Sequence, residues 1–420
     1  MKTNAFNSII GYIEVKNELA RILDQLNNPE LYASLGVTEP HGLLLHGAPG
    51  VGKSTFAMDF LKATGRNTYI CRKDKTNGDF VEQIVEVFNK AAETTPSIIL
   101  LDDLDKFANG DRRRRDTDEF VAVQTCIDRV KDLQVFVVAT ANDIAKLPES
   151  LTRAGRFDNI LELSSPKGQD AQDIIAHYLA RKPFVADMDI KRIARLLDGR
   201  SCAELETLVN EAGSYAAFDG RKQVEMKDMI KAILRLIFEA PESFRKDLRA
   251  LPYVACHEAG HALVAELLEP DSVDLVTVLN HNSHAAGITS ITRDDCYFYS
   301  KSLMENRVMY LLAGKAATEV IYGEVDTGSN SDLHRAFDIV HRFVDHYCSY
   351  GFSQFVIESN SSNEVLDRRD SRIAAEMDHY YSKTKQLLIE NKEKLELLTE
   401  RLIKEKTLLG DQVQQVLNCA

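Results

Sequence analysis

The chain has 420 residues, an apolar content of 44% and a net charge of −13. This length exceeds what one hydrophobic core normally organises, so two or three globular domains are expected. The acidic balance argues against general nucleic-acid binding, and we interpret the local basic run Arg112-Arg113-Arg114-Arg115 as a solvated loop.

The cysteine content and the apolar segments predict a cytoplasmic location. The seven Cys form no C-x-x-C pair, which is typical of a reducing compartment. The start, Met1-Lys2-Thr3-Asn4-Ala5, has no apolar signal core. No apolar run approaches the roughly 18 residues that a transmembrane helix requires. We therefore expect no membrane span in this chain.

A glycine-rich segment follows the first helical stretch. Residues 7–35 carry apolar side chains at helical spacing, and Gly42-Leu43-Leu44-Leu45-His46 is typical of a buried strand. Next come Gly47-Ala48-Pro49-Gly50-Val51-Gly52-Lys53-Ser54 and a helical run at 55–61. Strand, G-x-x-x-x-G-K-S and helix in this order predict a P-loop. The predicted contacts with ATP are Gly47, Pro49, Gly50, Val51, Gly52, Lys53, Ser54 and Thr55.

Each part of a P-loop has a physical role in binding phosphate. Glycines let the backbone N–H groups wrap the phosphates, and the helix N-terminus adds the positive end of a dipole. Lys53 is expected to reach the β and γ phosphates, and the Ser54 hydroxyl to ligate Mg²⁺.

Two further apolar strands end in polar residues. Residues 98–101 lead into Asp102-Asp103, where Asp102 should hold Mg²⁺ and Asp103 should polarise the attacking water. Residues 135–140 lead to Asn142, which can reach the γ-phosphate and that water. Strands that alternate with helices predict a parallel sheet covered on both faces.

The segment Leu151-Thr152-Arg153-Ala154-Gly155-Arg156-Phe157-Asp158 resembles the second region of homology of AAA+ ATPases. The resemblance implies one AAA module over about residues 7–238, with a helical lid from residue 170 onward. It also implies that Arg153 and Arg156 are arginine fingers, which stabilise the transferring phosphoryl group on a neighbouring subunit's ATP. His177 falls where related proteins place an adenine contact; the alternative is a histidine that only packs.

The strongest catalytic motif lies after a polar linker with prolines at both ends. His257-Glu258-Ala259-Gly260-His261 interrupts an apolar helical run at 256–268. Histidines at i and i+4 share one face of a helix, so both imidazoles can reach one zinc ion. Zinc lowers the pKa of a bound water to about 7, and Glu258 is placed to accept its proton. The alternative is a helix with two structural histidines.

The remaining segments predict a mostly helical domain. Residues 286–291 are typical of a short strand, and 303–322 of a helix. The polar loop Thr327-Gly328-Ser329-Asn330-Ser331-Asp332-Leu333 leads into a helix that runs through Tyr347. Residues 372–409 are charged and amphipathic and predict further helices.

A P-loop ATPase followed by H-E-x-x-H-A and then T-G-x-x-x-D-L resembles the FtsH family of ATP-dependent zinc proteases. The similarity covers nearly the whole chain, from about residue 7. It implies that the third zinc ligand is Asp332. Spacing alone does not separate Asp332 from His281, His284, His334 and Glu319.

The resemblance has two implications for the peptidase site. A carboxylate that closes a His₂ site leaves the fourth metal position for water, as a catalytic site needs. The strand near 287–290 would add substrate as a further β-strand, an expectation supported by its short, edge-like length.

The chain departs from the FtsH pattern in three places. It has no N-terminal membrane helices, so it is either a member without them or part of a longer membrane protein, and the starting Met favours the former. Asp103 stands where the family has Glu, which leaves the carboxylate one methylene short of the attacking water. The stretch Lys75-Thr76-Asn77-Gly78 matches the substrate-gripping pore loop but has no aromatic residue, although Phe80 lies just downstream.

The expected fold is an α/β AAA+ P-loop ATPase module, with a parallel sheet and a helical lid, followed by a mostly α-helical zinc metallopeptidase domain. The expected ranges are 1–165 for the large ATPase subdomain, 166–240 for the lid, 241–252 for a linker and 253–420 for the peptidase.

The expected function is an ATP-dependent zinc endopeptidase that unfolds, translocates and degrades unfolded or tagged proteins. It would work as a homo-hexamer with Zn²⁺, ATP and Mg²⁺. Two alternatives stay open: a zinc peptidase on a nucleotide-binding scaffold with little or no ATP hydrolysis, and a remodelling ATPase with a structural metal site.

Overall fold

The structure is a computed structural model that describes residues 3–73, 80–108, 117–153, 155–182, 188–239, 249–279, 287–291, 300–324, 327–347 and 361–419. Outside these ranges lie the basic run at 112–115, the predicted pore loop at 75–78, most of the predicted linker, Ala154, His281 and His284. The chain divides into two compact units, Met1–Met226 and Lys227–Ala420, which are described separately. The finer boundaries expected from the sequence stay predictions.

A five-stranded parallel sheet organises the first unit. Its strands are β1 (Gly42–His46), β2 (Asn67–Arg72), β3 (Ser97–Asp102), β4 (Val135–Ala141) and β5 (Asn159–Glu162). They lie in the order β2-β3-β4-β1-β5, and each neighbouring pair is parallel. The central strands β3 and β4 are buried at every position, as expected of a sheet covered on both faces.

The sheet confirms the predicted class and adds two edge strands. The three predicted strands are β1, β3 and β4. The unpredicted β2 and β5 lie at the two edges and expose many of their side chains, so their sequences are less apolar. Because parallel strands end at the same edge of the sheet, the turn after β1, Asp102 and Asp103 at the end of β3, and Asn142 after β4 meet there.

Helices make up most of the rest of the first unit. They are α1 (Ile13–Asn27), α2 (Pro29–Ser34), α3 (Lys53–Thr64), α4 (Phe80–Glu93), α5 (Asp118–Val130), α6 (Gly168–Ala180), α7 (Ile190–Leu196) and α8 (Cys202–Phe218); α9 (Met226–Leu236) begins at the boundary. The helical stretch predicted over 7–35 is divided, because Pro29 starts a new helix at its first position. The N-terminus of α8 has a capping box in which the side chains and backbone groups of Ser201 and Glu204 bond reciprocally.

The second unit is mostly helical, as predicted. Its helices are α10 (Leu251–Leu268), α11 (Lys301–Tyr322), α12 (Asn330–Asp345), α13 (Asn363–Glu390), α14 (Lys392–Glu405) and α15 (Gly410–Cys419). A small antiparallel sheet has the order β7-β6-β8, formed by β6 (Val273–Thr277), β7 (Ile288–Ile291) and β8 (Thr407–Leu409). Only β7 was predicted from the sequence.

The helix α10 lies in the core of the second unit. It is buried almost throughout from Ala255 to Glu266, so apolar residues surround the motif histidines. A Cβ built on Gly260 would lie 2.5 Å from Ala317 Cβ and 2.7 Å from Ala313 O of α11. The absence of a side chain at Gly260 therefore lets α11 pack directly against α10. Within the described ranges, no helix combines the length and apolarity that a bilayer crossing requires.

Candidate metal and nucleotide sites

Three side chains converge where α10 meets the first turn of α12. His257 Nε2 lies 3.0 Å from His261 Nε2, and Asp332 Oδ2 lies 3.5 and 3.4 Å from these two nitrogens. Two imidazoles and one carboxylate form a donor set that suits zinc and leaves a position open. The structure thus brings together the three residues that the sequence and the family resemblance selected.

The other candidate third ligands differ in position. Glu319 accepts hydrogen bonds from Tyr381 and from Lys385 Nζ, the latter at 2.8 Å. His334 is exposed on α12 and lies outside the cluster of potential metal ligands found among the described residues. These positions support Asp332, rather than Glu319 or His334, as the third metal ligand.

A backbone carbonyl determines the tautomer of His261. Its Nδ1 lies 2.6 Å from the carbonyl oxygen of Tyr310, on α11. Because a carbonyl oxygen can only accept, Nδ1 carries the proton and Nε2 presents its lone pair to the cluster. A metal-binding histidine is commonly oriented in this way.

Gly314 on α11 leaves the space that the two imidazoles occupy. A Cβ built at this position would lie 2.5 Å from His257 Cε1, from His257 Nε2 and from His261 Nε2. Only glycine fits here without displacing a ring. The donor chemistry, the tautomer and this close packing together fit a site for one metal ion.

Glu258 lies beside the cluster and is buried. Its Oε2 accepts a hydrogen bond of 2.7 Å from Thr289 Oγ1 on β7. The backbone of Gly287 packs so closely that an added Cβ would lie 2.6 Å from Glu258 Cγ. Burial raises the pKa of Glu258 above its ordinary value, against the lowering effect of the two histidines. A carboxylate with a raised pKa is a stronger proton acceptor.

A cavity of about 450 Å³ opens onto the cluster and Glu258. Its apolar wall is formed by Tyr253, Val254, Ile288, Ile291, Tyr310 and Leu311. Arg335 also lines the cavity, and its NH1 lies 3.6 Å from Asp332 Oδ1. The cavity is large enough for substrate side chains beside the candidate metal site.

The P-loop lies between β1 and α3, as predicted. Gly50 and Gly52 adopt φ values of 81° and 101°, which favour glycine. The buried Lys53 donates hydrogen bonds of 2.7 and 2.8 Å to the carbonyls of Gly47 and Ala48. Burial lowers the pKa of Lys53 and outweighs the raising effect of the nearby Asp103. The loop thus turns around the ammonium group that is predicted to meet the phosphates.

Asp102 ends β3 beside the first turn of α3. Its Oδ1 lies 3.4 Å from Ser54 Oγ and accepts a 2.8 Å hydrogen bond from Thr140 Oγ1 on β4. A carboxylate and a hydroxyl at this distance are oxygen donors that Mg²⁺ can use.

Both carboxylate oxygens of Asp103 have partners. Lys106 Nζ donates to Oδ2 at 2.7 Å, and Asn142 Nδ2 donates to Oδ1 at 3.2 Å. Burial alone would raise the pKa of Asp103, but Lys106 and then Asn142 outweigh it and lower the pKa. The sequence predicted Asp103 and Asn142 at one site, but it did not indicate Lys106.

A second cavity, of about 460 Å³, is lined by the P-loop and the lid helices. Its walls include Gly50, Val51, Gly52, Ser54, Thr55, His177, Tyr178, Cys202 and Ala203. His177 is therefore part of the cavity wall, whereas Pro49 is exposed in the loop. Tyr12 was not predicted; its hydroxyl donates to Ser164 O at 2.9 Å and lies 3.4 Å from Cys202 Sγ.

The two candidate fingers have different surroundings. Arg153 is exposed. Arg156 forms a two-pronged ion pair with Asp128 on α5, with Nε–Oδ1 at 3.1 Å and NH2–Oδ2 at 2.8 Å. Such fork-shaped pairs fix the guanidinium plane.

Comparison with known proteins defines the class. The profile of the ATPase family associated with various cellular activities (AAA) matches residues 43–165, that of the AAA+ lid domain matches 187–231, and that of peptidase family M41 matches 247–416. The chain therefore joins an AAA ATPase to a metallopeptidase.

Similar curated proteins give the family. ATP-dependent zinc metalloprotease FtsH 3 of Petrotoga mobilis is 30% identical over 98% of this chain and 68% of its own length. The FtsH proteins of Thermus thermophilus and Bacillus subtilis are each 29% identical, over 98% of this chain and 70% of their own lengths. The chain belongs to the FtsH family of ATP-dependent zinc metalloproteases.

Several residues around the metal cluster were missed by sequence reasoning. Gly314 had a weak signal, since a glycine inside a helix costs stability and usually has a packing reason. Tyr310 contacts His261 through its backbone carbonyl, and Thr289 contacts Glu258 through a hydroxyl on a short strand. These contacts depend on how α10, α11 and β7 pack against one another, and the spacing of residues in the local sequence does not predict that packing.

Proposed function

We propose that this chain is an ATP-dependent zinc endopeptidase. The observation that carries the proposal is the convergence of His257, His261 and Asp332 beside Glu258 and a cavity. The relatives carry the name ATP-dependent zinc metalloprotease, which agrees with this chemistry.

His257 Nε2, His261 Nε2 and one oxygen of Asp332 would hold Zn²⁺. When bound, Zn²⁺ supplies Lewis-acid polarisation and makes water acidic enough to ionise near neutral pH. Glu258 would accept the proton of the attacking water and return it to the leaving amine. Its burial raises its pKa, which favours the first of these transfers.

The strand β7 is the proposed docking edge for substrate. It pairs with β6 on one side and ends the described three-stranded sheet on the other. Main-chain groups at such an edge can bond an extended peptide. The cavity beside β7 would receive the apolar side chains of that peptide.

The first unit would bind and hydrolyse ATP. Lys53 would contact the phosphates, Ser54 and Asp102 would hold Mg²⁺, and Asp103 with Asn142 would orient the attacking water. His177 would contact the adenine, together with the wall of the second cavity.

Arg153 and Arg156 would complete the ATP site of a neighbouring subunit. Fingers that act in trans require a closed assembly, and we propose a homo-hexamer. ATP turnover in this ring would drive unfolded or tagged proteins towards the peptidase sites, without nucleic acid as a partner.

One observation favours a second candidate, a zinc peptidase on a nucleotide-binding scaffold with weak hydrolysis. Asp103 is shorter than glutamate, and Lys106 and Asn142 engage both of its oxygens. An acid held in this way is poorly placed to polarise water.

Degradation of an unfolded protein tests these alternatives. The purified chain is incubated with casein and ATP, with a non-hydrolysable ATP analogue, or with ATP and a zinc chelator. We expect cleavage only with ATP and zinc. Equal cleavage with the analogue would support the scaffold candidate, and cleavage that persists after complete zinc removal would contradict the metal assignment.

A further inference from the structure

The strand β7 contacts Glu258 at two points. Thr289 Oγ1 donates a 2.7 Å hydrogen bond to Oε2 of the carboxylate. Two residues earlier, immediately before β7, the backbone of Gly287 packs against the Glu258 side chain, where an added Cβ would lie 2.7 Å from Oε1. The hydrogen bond thus holds one carboxylate oxygen, Oε2, and the lack of a side chain at Gly287 leaves room beside Oε1.

The Thr289 hydroxyl has one proton, and geometry indicates where it points. The oxygen lies 2.7 Å from Glu258 Oε2 and 3.2 Å from the Glu258 backbone carbonyl. A hydroxyl that faces two acceptors directs its proton mainly to the nearer and charged one. Thr289 is therefore a directional donor to one particular carboxylate oxygen.

This contact orients Glu258 relative to the metal cluster. A glutamate side chain on a helix has three rotatable bonds, and burial alone does not select one carboxylate plane. Bonding Oε2 to Thr289 leaves Oε1 to face a reacting water. Sub-ångström placement of a proton acceptor matters for rate, because misplacement by about 1 Å can cost on the order of 100-fold.

We propose that Thr289 is the positioning residue for Glu258 and that β7 therefore both docks the substrate and aligns the general base. The inference rests on the proposed peptidase function. A substrate bound along β7 is then held by the same strand that contacts the general base. This strand would therefore position both the scissile bond and Glu258.

Two substitutions separate the effect of the Thr289 hydroxyl from the effect of the side-chain shape. Thr289→Val keeps the branched side chain and removes the donor, whereas Thr289→Ser keeps the donor and removes a methyl group. Ser290→Ala is a matched control, since the neighbouring side chain points to the opposite face of the strand. Each variant is assayed with a short fluorogenic peptide, with zinc content measured in parallel.

We expect Thr289→Val to lower kcat about 10- to 100-fold, which corresponds to about 1.4–2.7 kcal/mol. KM and zinc content should stay near wild type, because neither docking along the backbone nor the metal ligands is changed. Thr289→Ser should recover kcat to within about threefold, and Ser290→Ala should match wild type.

The background Glu258→Gln provides a second readout. If Thr289 acts only through the Glu258 carboxylate, adding Thr289→Val to Glu258→Gln should cause little further loss. Equal loss in both backgrounds would overturn the proposal, as would full activity of Thr289→Val, zinc loss in that variant, or failure of Thr289→Ser to recover. A wild-type chain that binds zinc but cleaves no peptide would instead refute the proposed function.

Discussion

Gly314→Ala should uncouple metal affinity from the stability of the fold. The new Cβ would lie 2.5 Å from the Nε2 atoms of both His257 and His261. Ordinary van der Waals contact begins near 3.4 Å, so the rings must retreat by about 0.9 Å. The atoms displaced are the ones proposed to hold zinc.

The magnitude follows from two opposing effects. Overpacking a filled interior costs about 1–3 kcal/mol, whereas replacing glycine by alanine inside a helix contributes about 0.5–1 kcal/mol of stability. Metal–ligand distances tolerate only about 0.2 Å, far less than the required retreat. We therefore expect a modest change in unfolding free energy and a fall in zinc affinity of at least about 100-fold, or roughly 2.7 kcal/mol.

Zinc affinity is measured by competition with a chelator, and stability by urea unfolding of the metal-free protein. Gly213→Ala in α8 is the matched control, since its added Cβ would meet nothing closer than Lys182 Nζ at 3.5 Å. That control should keep wild-type zinc affinity. The steric argument is refuted if Gly314→Ala binds zinc within about threefold of wild type.

Other predictions concern proton transfer and ATP turnover. Glu258→Gln should keep one zinc per chain and lower peptide cleavage to a small residual rate, and metal analysis beside a peptidase assay checks both. Asp103→Glu should raise the kcat of ATP hydrolysis about tenfold, or 1.4 kcal/mol, at unchanged nucleotide affinity; a steady-state assay that shows no gain would contradict the short-carboxylate argument. Arg156→Ala should bind ATP but hydrolyse it more slowly. Asp128→Ala tests whether the intrachain ion pair with Arg156 contributes to the rate of ATP hydrolysis. ATP hydrolysis at the wild-type rate by a dilute monomer would exclude arginine fingers that act in trans.

Local motifs made much of this protein predictable. The P-loop and His257-Glu258-Ala259-Gly260-His261 each place several functional groups within one turn or one helix, so sequence spacing nearly determines their geometry. Buried strands were equally clear, because β3 and β4 are apolar at almost every position.

Groups brought together by tertiary packing were harder to predict. Asp332 was selected from several candidates by family resemblance, because it is 71 residues beyond His261. The partners of Asp103 and Glu258 depend on which side chains a turn and an edge strand present. Lys106 and Thr289 belong to common residue types, and nothing in their immediate sequence distinguishes them from ordinary surface positions.

The metal cluster draws its three donors from two helices. Its two imidazoles belong to α10, which the core of the second unit surrounds, and α11 fixes one of them through Tyr310. Asp332 comes from the first turn of α12, where Asn330, Ser331 and His334 are exposed. Two donors are thus placed by one buried helix, and the third is placed by the packing of α12, whose inner face belongs to the same core. A substitution elsewhere in α12 that shifts Asp332 is consequently expected to change zinc affinity without altering either histidine.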